Sequence, residues 1–151
     1  MLTMLLAIFT VHAQDLNQKY QWETIPSIEI CPEANVDVGN VYNALNYWQK
    51  EVGFKYSTVK KVSNCKKEKP NTIQITNGKN VDTSRHLGLT TVSSYYYTDD
   101  VNTNYVDYAI VRIVGNKKYE YLLQEVVTHE IGHAIGLGHS QSGIMHHSMG
   151  H

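Results

Sequence analysis

The run Thr128–Ser140 constrains this chain more than any other part of its sequence. Three histidines, a glutamate and a glycine stand there in the pattern H-E-x-x-H-x-x-G-x-x-H. Five fixed residue types at these spacings would arise by accident in fewer than about one sequence in ten thousand of this length. The pattern therefore predicts one site made of these residues: His129, Glu130, His133, Gly136 and His139.

The spacing of the histidines predicts a zinc site. Residues four apart lie on one face of a helix, so His129 and His133 can direct their imidazoles at one point about 2 Å away. Gly136 can take a positive φ and turn the chain, which allows His139 to approach the same ion. Three neutral imidazoles leave the fourth tetrahedral position open, as in catalytic rather than structural zinc sites. We expect one catalytic Zn²⁺.

Glu130 is the predicted general base, because it is the helical neighbour of the first ligand. Zinc lowers the pKa of its bound water and polarises a carbonyl, and a carboxylate can take the water proton and deliver it to a leaving amine. Two alternatives stay open. The histidines could form a structural site or lie on a helix by coincidence, and Glu130 could be an exposed helix carboxylate.

Composition limits the size and the partners of the protein. A chain of 151 residues with 42% hydrophobic content can form one core, so we expect a single domain. Its 13 basic and 14 acidic side chains give a net charge of -1. This balance gives no electrostatic reason to expect binding to nucleic acid or to an anionic membrane. Composition alone therefore names no partner, and we expect a monomer.

The first 13 residues resemble a secretory signal. They carry no charged side chain, residues 2–11 are almost wholly apolar, and small residues stand near position 13. The alternatives are an N-terminal hydrophobic strand or a membrane anchor, although about ten apolar residues are few for a spanning helix. We therefore predict a signal peptide at 1–13 and one metallopeptidase domain at 14–151, secreted and without stable membrane association.

Two cysteines, Cys31 and Cys65, lie in the predicted mature domain. In an oxidising compartment an isolated pair most often forms one disulfide, which is our expectation. Two buried free thiols are the alternative. Neither residue has a C-x-x-C partner, so these cysteines do not indicate a zinc site.

Patterning along the chain predicts a mixture of strands and helices. Apolar residues three and four apart indicate a helix around Val41–Trp48, capped by Asp37 or Asn40 and stopped by Gly53. A second helix runs from about Tyr119 into the first two histidines. Runs rich in β-branched and aromatic residues predict strands at Ile25–Ile30, Phe54–Val62, Thr72–Thr76, Leu87–Tyr97 and Tyr105–Val114.

The histidine run resembles that of the metzincin clan of zinc peptidases. Ser140, which follows the third histidine, is similar to the serine found there in the matrixin-like branch of the clan. The later run Ser142–His146 looks like the clan's Met-turn, which implies that Met145 is the hydrophobic base of the site. The resemblance implies an α+β fold: a twisted, mostly parallel sheet with an antiparallel edge strand, packed on two helices, with the zinc-binding helix near the C-terminus. Leu87–Tyr97 would be the edge strand, and main-chain atoms of Gly88–Thr91 would bind substrate.

The sequence departs from the family pattern in three places. It has no recognisable pro-segment or cysteine-switch motif, and it has no Gly- and Asp-rich loops for structural zinc or calcium. His86, near Asp82, is too isolated to replace such a loop, so we predict no second metal. Only six residues follow Met145, which suggests a minimal form without the C-terminal helix. His147 is then either an oxyanion-stabilising group or extra ligand, or part of an exposed tail.

Together these features predict a secreted zinc endopeptidase that hydrolyses peptide bonds with a zinc-bound water and a glutamate general base. The alternative is a secreted zinc- or peptide-binding protein with a degenerate specificity pocket. A toxin-like or virion-associated factor acting on a host surface is neither supported nor excluded by the sequence.

Overall fold

A computed structural model of the protein describes residues 18–65 and 68–147. The signal peptide predicted at 1–13 lies outside these residues. Within the described parts no helix is both long and apolar enough to cross a membrane. The elements in chain order are β1 (Gln21–Trp22), β2 (Ser27–Ile30), α1 (Val38–Val52), β3 (Val59–Lys61), β4 (Thr72–Asn77), β5 (Gly88–Tyr97), β6 (Asp100–Ile113), a 3-10 helix (Lys117–Leu122) and α2 (Leu123–Ala134).

The strands form one sheet, which is parallel except for β5. Strands β3, β2, β4 and β6 lie side by side in that order, and β1 pairs with the first half of β6. Strand β5 pairs antiparallel with β6 and lies at the edge. The predicted α+β fold, with a mostly parallel sheet, an antiparallel edge strand and two packed helices, is confirmed.

Both helices cover one face of the sheet. The buried face of α1 consists of Val41, Ala44, Leu45 and Trp48, as the helical spacing predicts. Asp37 is the N-cap, and its backbone N–H donates to Asn40 Oδ1 at 3.2 Å. Side chains of the central strands alternate between the two faces, and the isoleucines and valines that face the helices form the sheet side of the core: Ile28, Ile30, Ile73, Ile75, Val111 and Ile113.

Three element boundaries differ from the sequence prediction by more than two residues. The strand predicted at Phe54–Val62 is only Val59–Lys61, because β2 offers just three residues as partners there. The strand predicted at Tyr105–Val114 begins earlier, at Asp100, because β5 pairs with its first half. The helix predicted from Tyr119 starts as the 3-10 helix and becomes α-helical at Leu123.

On the outer face of the sheet, described residues between β3 and β4 contact β2. Cys65, one of these residues, is bonded to Cys31 at the end of β2, with Cα atoms 5.5 Å apart, which confirms the predicted disulfide. On this face Glu29 is 2% exposed, and it accepts a hydrogen bond from Lys69 and pairs with Lys60. Burial alone would raise the pKa of Glu29, but the two ammonium groups outweigh it and hold the pKa below its ordinary value.

Candidate metal centre

Helix α2 carries the first two histidines and the glutamate toward the edge strand. From Val126 to Gly132 every residue of this helix is buried, so its position is fixed on all sides. The indole of Trp48 in α1 donates a hydrogen bond to the backbone carbonyl of Thr128 at 2.8 Å. This bond joins the two helices one residue before His129. The first ligand therefore sits on a rigid element.

A sharp turn at Gly136 brings the third histidine back to the helix. Gly136 has φ +106°, the positive value that the sequence predicted for it. A Cβ at this position would overlap the carbonyl oxygen of Tyr20, and the Lys19 backbone N–H donates to the Gly136 carbonyl at 2.8 Å. The chain before β1 thus packs against the turn. Only glycine satisfies both the conformation and the contact, and the turn directs His139 toward the helix.

The Nε2 atoms of the three histidines converge on one point. His133 Nε2 lies 3.1 Å from His129 Nε2 and 3.2 Å from His139 Nε2. Tetrahedral zinc with bonds of about 2.05 Å would hold two nitrogens about 3.3 Å apart. In residues 18–65 and 68–147, these three side chains form the one group of His, Cys, Asp or Glu with the geometry to hold a metal. The distances fit a single zinc ion.

Backbone carbonyls fix the protonation of two of these rings. His129 Nδ1 lies 2.7 Å from the Ile144 carbonyl, and His133 Nδ1 lies 2.8 Å from the Leu137 carbonyl. Because a carbonyl only accepts, each Nδ1 carries the proton and each Nε2 presents a lone pair. Burial lowers the pKa of His133, which favours its neutral form. Facing lone pairs at 3.1 Å repel each other unless a cation lies between them, so the donor set fits a metal.

The side chain of Glu130 lies between its own helix, α2, and the edge strand β5. It is 4% exposed, and burial raises its pKa to about 7. The hydroxyl of Thr90 in β5 lies 2.6 Å from Glu130 Oε2, which lowers the pKa again in part. A Cβ at Gly88 would come within 2.8 Å of Glu130 Oε1, so the missing side chain makes room for the carboxylate. The glutamate is therefore a buried group and not a solvated helix carboxylate.

A cleft of about 350 Å³ opens over the histidines. One wall is β5, from Gly88 to Val92, and the other is the segment Leu137–His139. His147 lines the cleft, and its ring centroid lies 6.5 Å from that of His139. Lys19 and Tyr20 also line it. The structure thus places an exposed sheet edge, the histidine cluster and Glu130 in one concave site.

Met145 lies beneath the histidines. It is 1% exposed, and its side chain packs directly against Gly132 in α2, between the first two histidines of the motif. Its backbone carbonyl accepts a hydrogen bond from the Ser140 N–H at 3.0 Å, which closes the loop after His139. The residue before it supplies the carbonyl that orients His129. Met145 and the loop that carries it therefore pack against the helix that carries the first two histidines.

Several contacts of the site could not be found from the sequence. The side chain of Thr90 is one of four threonines and serines in β5, and nothing in the strand pattern distinguishes it from its neighbours. The carbonyls of Ile144 and Leu137 are backbone atoms, which carry no sequence signal. Tyr20 precedes a two-residue strand that the pattern did not indicate.

His86 and Asp82 lie in a turn before β5, where the His86 N–H donates to the Asp82 carbonyl.

Comparison with known proteins assigns the family. The family model described as Matrixin matches residues 15–150, which include every residue of the histidine cluster, Glu130 and Met145. A comparison with curated proteins gives no significant match. The match extends over most of the chain and agrees with the fold and with the histidine geometry. The chain therefore belongs to the matrixin family of metzincin-type zinc metallopeptidases.

Proposed function

We propose that this protein is a secreted zinc endopeptidase that binds one catalytic zinc ion at His129, His133 and His139. The observation that carries the proposal is the convergence of three Nε2 atoms beside a buried glutamate. A structural zinc site has four protein ligands, whereas this group supplies three and faces an open cleft. Membership of a metallopeptidase family supports the same chemistry.

Glu130 is the proposed general base. When bound, zinc would acidify a water molecule and polarise the scissile carbonyl. Glu130 accepts the proton of the attacking water and returns it to the leaving amine, so no acyl-enzyme forms. Burial raises the pKa of Glu130, which makes its carboxylate a better proton acceptor than a solvated glutamate. His147, which lines the cleft, would stabilise the developing oxyanion, and Met145 would support the ligands from below.

The substrate is proposed to be a peptide in extended form. Strand β5 is bonded to β6 on one side, and its other edge borders the cleft. Main-chain atoms of Gly88–Thr91 would pair with the substrate as one more strand of the sheet. Such backbone pairing depends little on side-chain identity. A protein or peptide chain can therefore bind with broad sequence preference.

The remaining proposals concern processing and location. Residues 1–13 would be removed as a signal peptide, which leaves one domain from 14 to 151. The disulfide between Cys31 and Cys65 fits an oxidising compartment such as the extracellular space. We propose that the mature protein is monomeric, because one chain supplies all three ligands, the general base and the substrate edge.

Digestion of a peptide library with and without a chelator tests this proposal. We expect cleavage by the zinc-loaded protein, its loss on chelation, and its return when zinc is added. The variant Glu130→Ala should bind zinc but lose at least about a hundredfold in cleavage rate. Glu125→Ala is the matched control, because Glu125 is an exposed glutamate of the same helix. Full activity of Glu130→Ala would refute the assigned role, and zinc binding without any cleavage would favour a binding protein.

A further inference from the structure

We propose that Thr90 is a positioning residue that holds Glu130 in its reactive orientation and couples it to the substrate strand. The inference rests on the proposed peptidase function and adds a residue to it. Thr90 Oγ1 lies 2.6 Å from Glu130 Oε2 and 2.9 Å from the Glu130 backbone carbonyl. One side chain thus contacts both the carboxylate and the main chain of the proposed base.

The hydroxyl has one proton and two acceptors. The carboxylate bond is the shorter one and is charge-assisted, so the proton points to Glu130 Oε2 while the glutamate is ionised. This bond occupies Oε2 and leaves Oε1 as the oxygen that takes the proton of the attacking water. Oε1 lies against Gly88, where an added Cβ would come within 2.8 Å of it, so the missing side chain makes room for the carboxylate. Thr90 and Gly88 together fix the rotation of the carboxylate.

The position of Thr90 in β5 connects the base to the substrate. Side chains alternate along a strand, so Gly88 and Thr90 face Glu130 while Leu89 and Thr91 face away from it. The backbone of the same residues forms the edge on which an extended substrate would pair. Substrate bound to this edge is therefore held in register with the carboxylate by one rigid strand.

Thr90→Val tests this inference, because valine keeps the shape of threonine and removes the hydroxyl. We expect kcat to fall about 10-fold to 100-fold, with KM and zinc content unchanged, since the glutamate loses its orienting donor. Thr90→Ser keeps the hydroxyl and should restore most of the rate. Thr76→Val is the matched control. Thr76 lies on β4, outside the cleft, and its hydroxyl also donates to a carboxylate, that of Glu33, at 2.7 Å.

A double-mutant cycle provides a readout that does not depend on activity. The melting temperatures of Thr90→Val, Glu130→Ala and the double variant, all zinc-free, should be non-additive by about 3 °C or more if the two side chains interact. The inference would be overturned if the changes in melting temperature were additive. It would also be overturned if Thr90→Val kept the native kcat, or if Thr90→Ser lost as much kcat as Thr90→Val. If the unmodified protein cleaves no peptide while the cycle is non-additive, the proposed function has failed and the contact stands.

Discussion

The turn at Gly136 gives the most direct test of how this fold builds its site, through the substitution Gly136→Ala. An L-residue at φ +106° costs about 1 to 2 kcal/mol. The added Cβ would also overlap the Tyr20 carbonyl, and forced overlap of this kind costs about 1 to 3 kcal/mol. The sum predicts a loss of about 2 to 5 kcal/mol in the free energy of unfolding. If the turn moved to relieve this overlap, His139 would be displaced, so the affinity for zinc should fall at least about tenfold.

Urea denaturation and competition with a chromogenic chelator measure the two effects separately. Gly39→Ala is the matched control, because Gly39 lies in α1 with nothing within 4 Å of an added Cβ. In a helix this change should stabilise the protein by about 0.5 to 1 kcal/mol. The same substitution thus has opposite expected signs at the two sites. A Gly136→Ala variant with native stability and native zinc affinity would refute the argument.

Three further predictions concern the supports of the site and of the sheet. Replacing Cys31 and Cys65 together by alanine removes a disulfide that closes a loop with a sequence separation of 34 residues. The free energy of unfolding in urea should fall by about 4 kcal/mol. A fall of less than about 1 kcal/mol would contradict the loop-closure argument. Met145→Ala should cost about 2 to 5 kcal/mol and weaken zinc binding, whereas Met145→Leu should cost under about 1.5 kcal/mol; equal losses would exclude a packing role. The pKa of Glu29 is depressed in the fold, so its contribution to stability is present above its unfolded pKa of about 4.3 and is lost as pH falls through the folded value. Glu29→Gln should therefore flatten the stability profile in acid, and an unchanged slope would refute the pairing with Lys69.

Much of the fold could be predicted because local patterns and pairing agree. The buried face of α1 and its stop at Gly53 follow from spacing and residue type, which left its cap open between Asp37 and Asn40. The boundaries of β3 and β6 could not be predicted in the same way. A strand extends only as far as a neighbour pairs with it. The partner of β3 is β2, which is distant in sequence. The early start of β6 depends on antiparallel pairing with β5, the strand that directly precedes it. Strand β1 is two residues long and exists because β6 offers it an edge.

The sequence alone determined which side chains could hold the metal, because helical periodicity brings His129 and His133 to one face and Gly136 permits the turn to His139. It could not determine what orients and protonates them. The carbonyls of Ile144 and Leu137 are backbone atoms whose direction depends on the loop after the helix. The pKa of Glu130 depends on burial between α2 and β5, which are joined only by tertiary packing. Spacing along one helix is a local property written in the chain, whereas burial and hydrogen bonding between distant segments arise only when the sheet and the helices assemble.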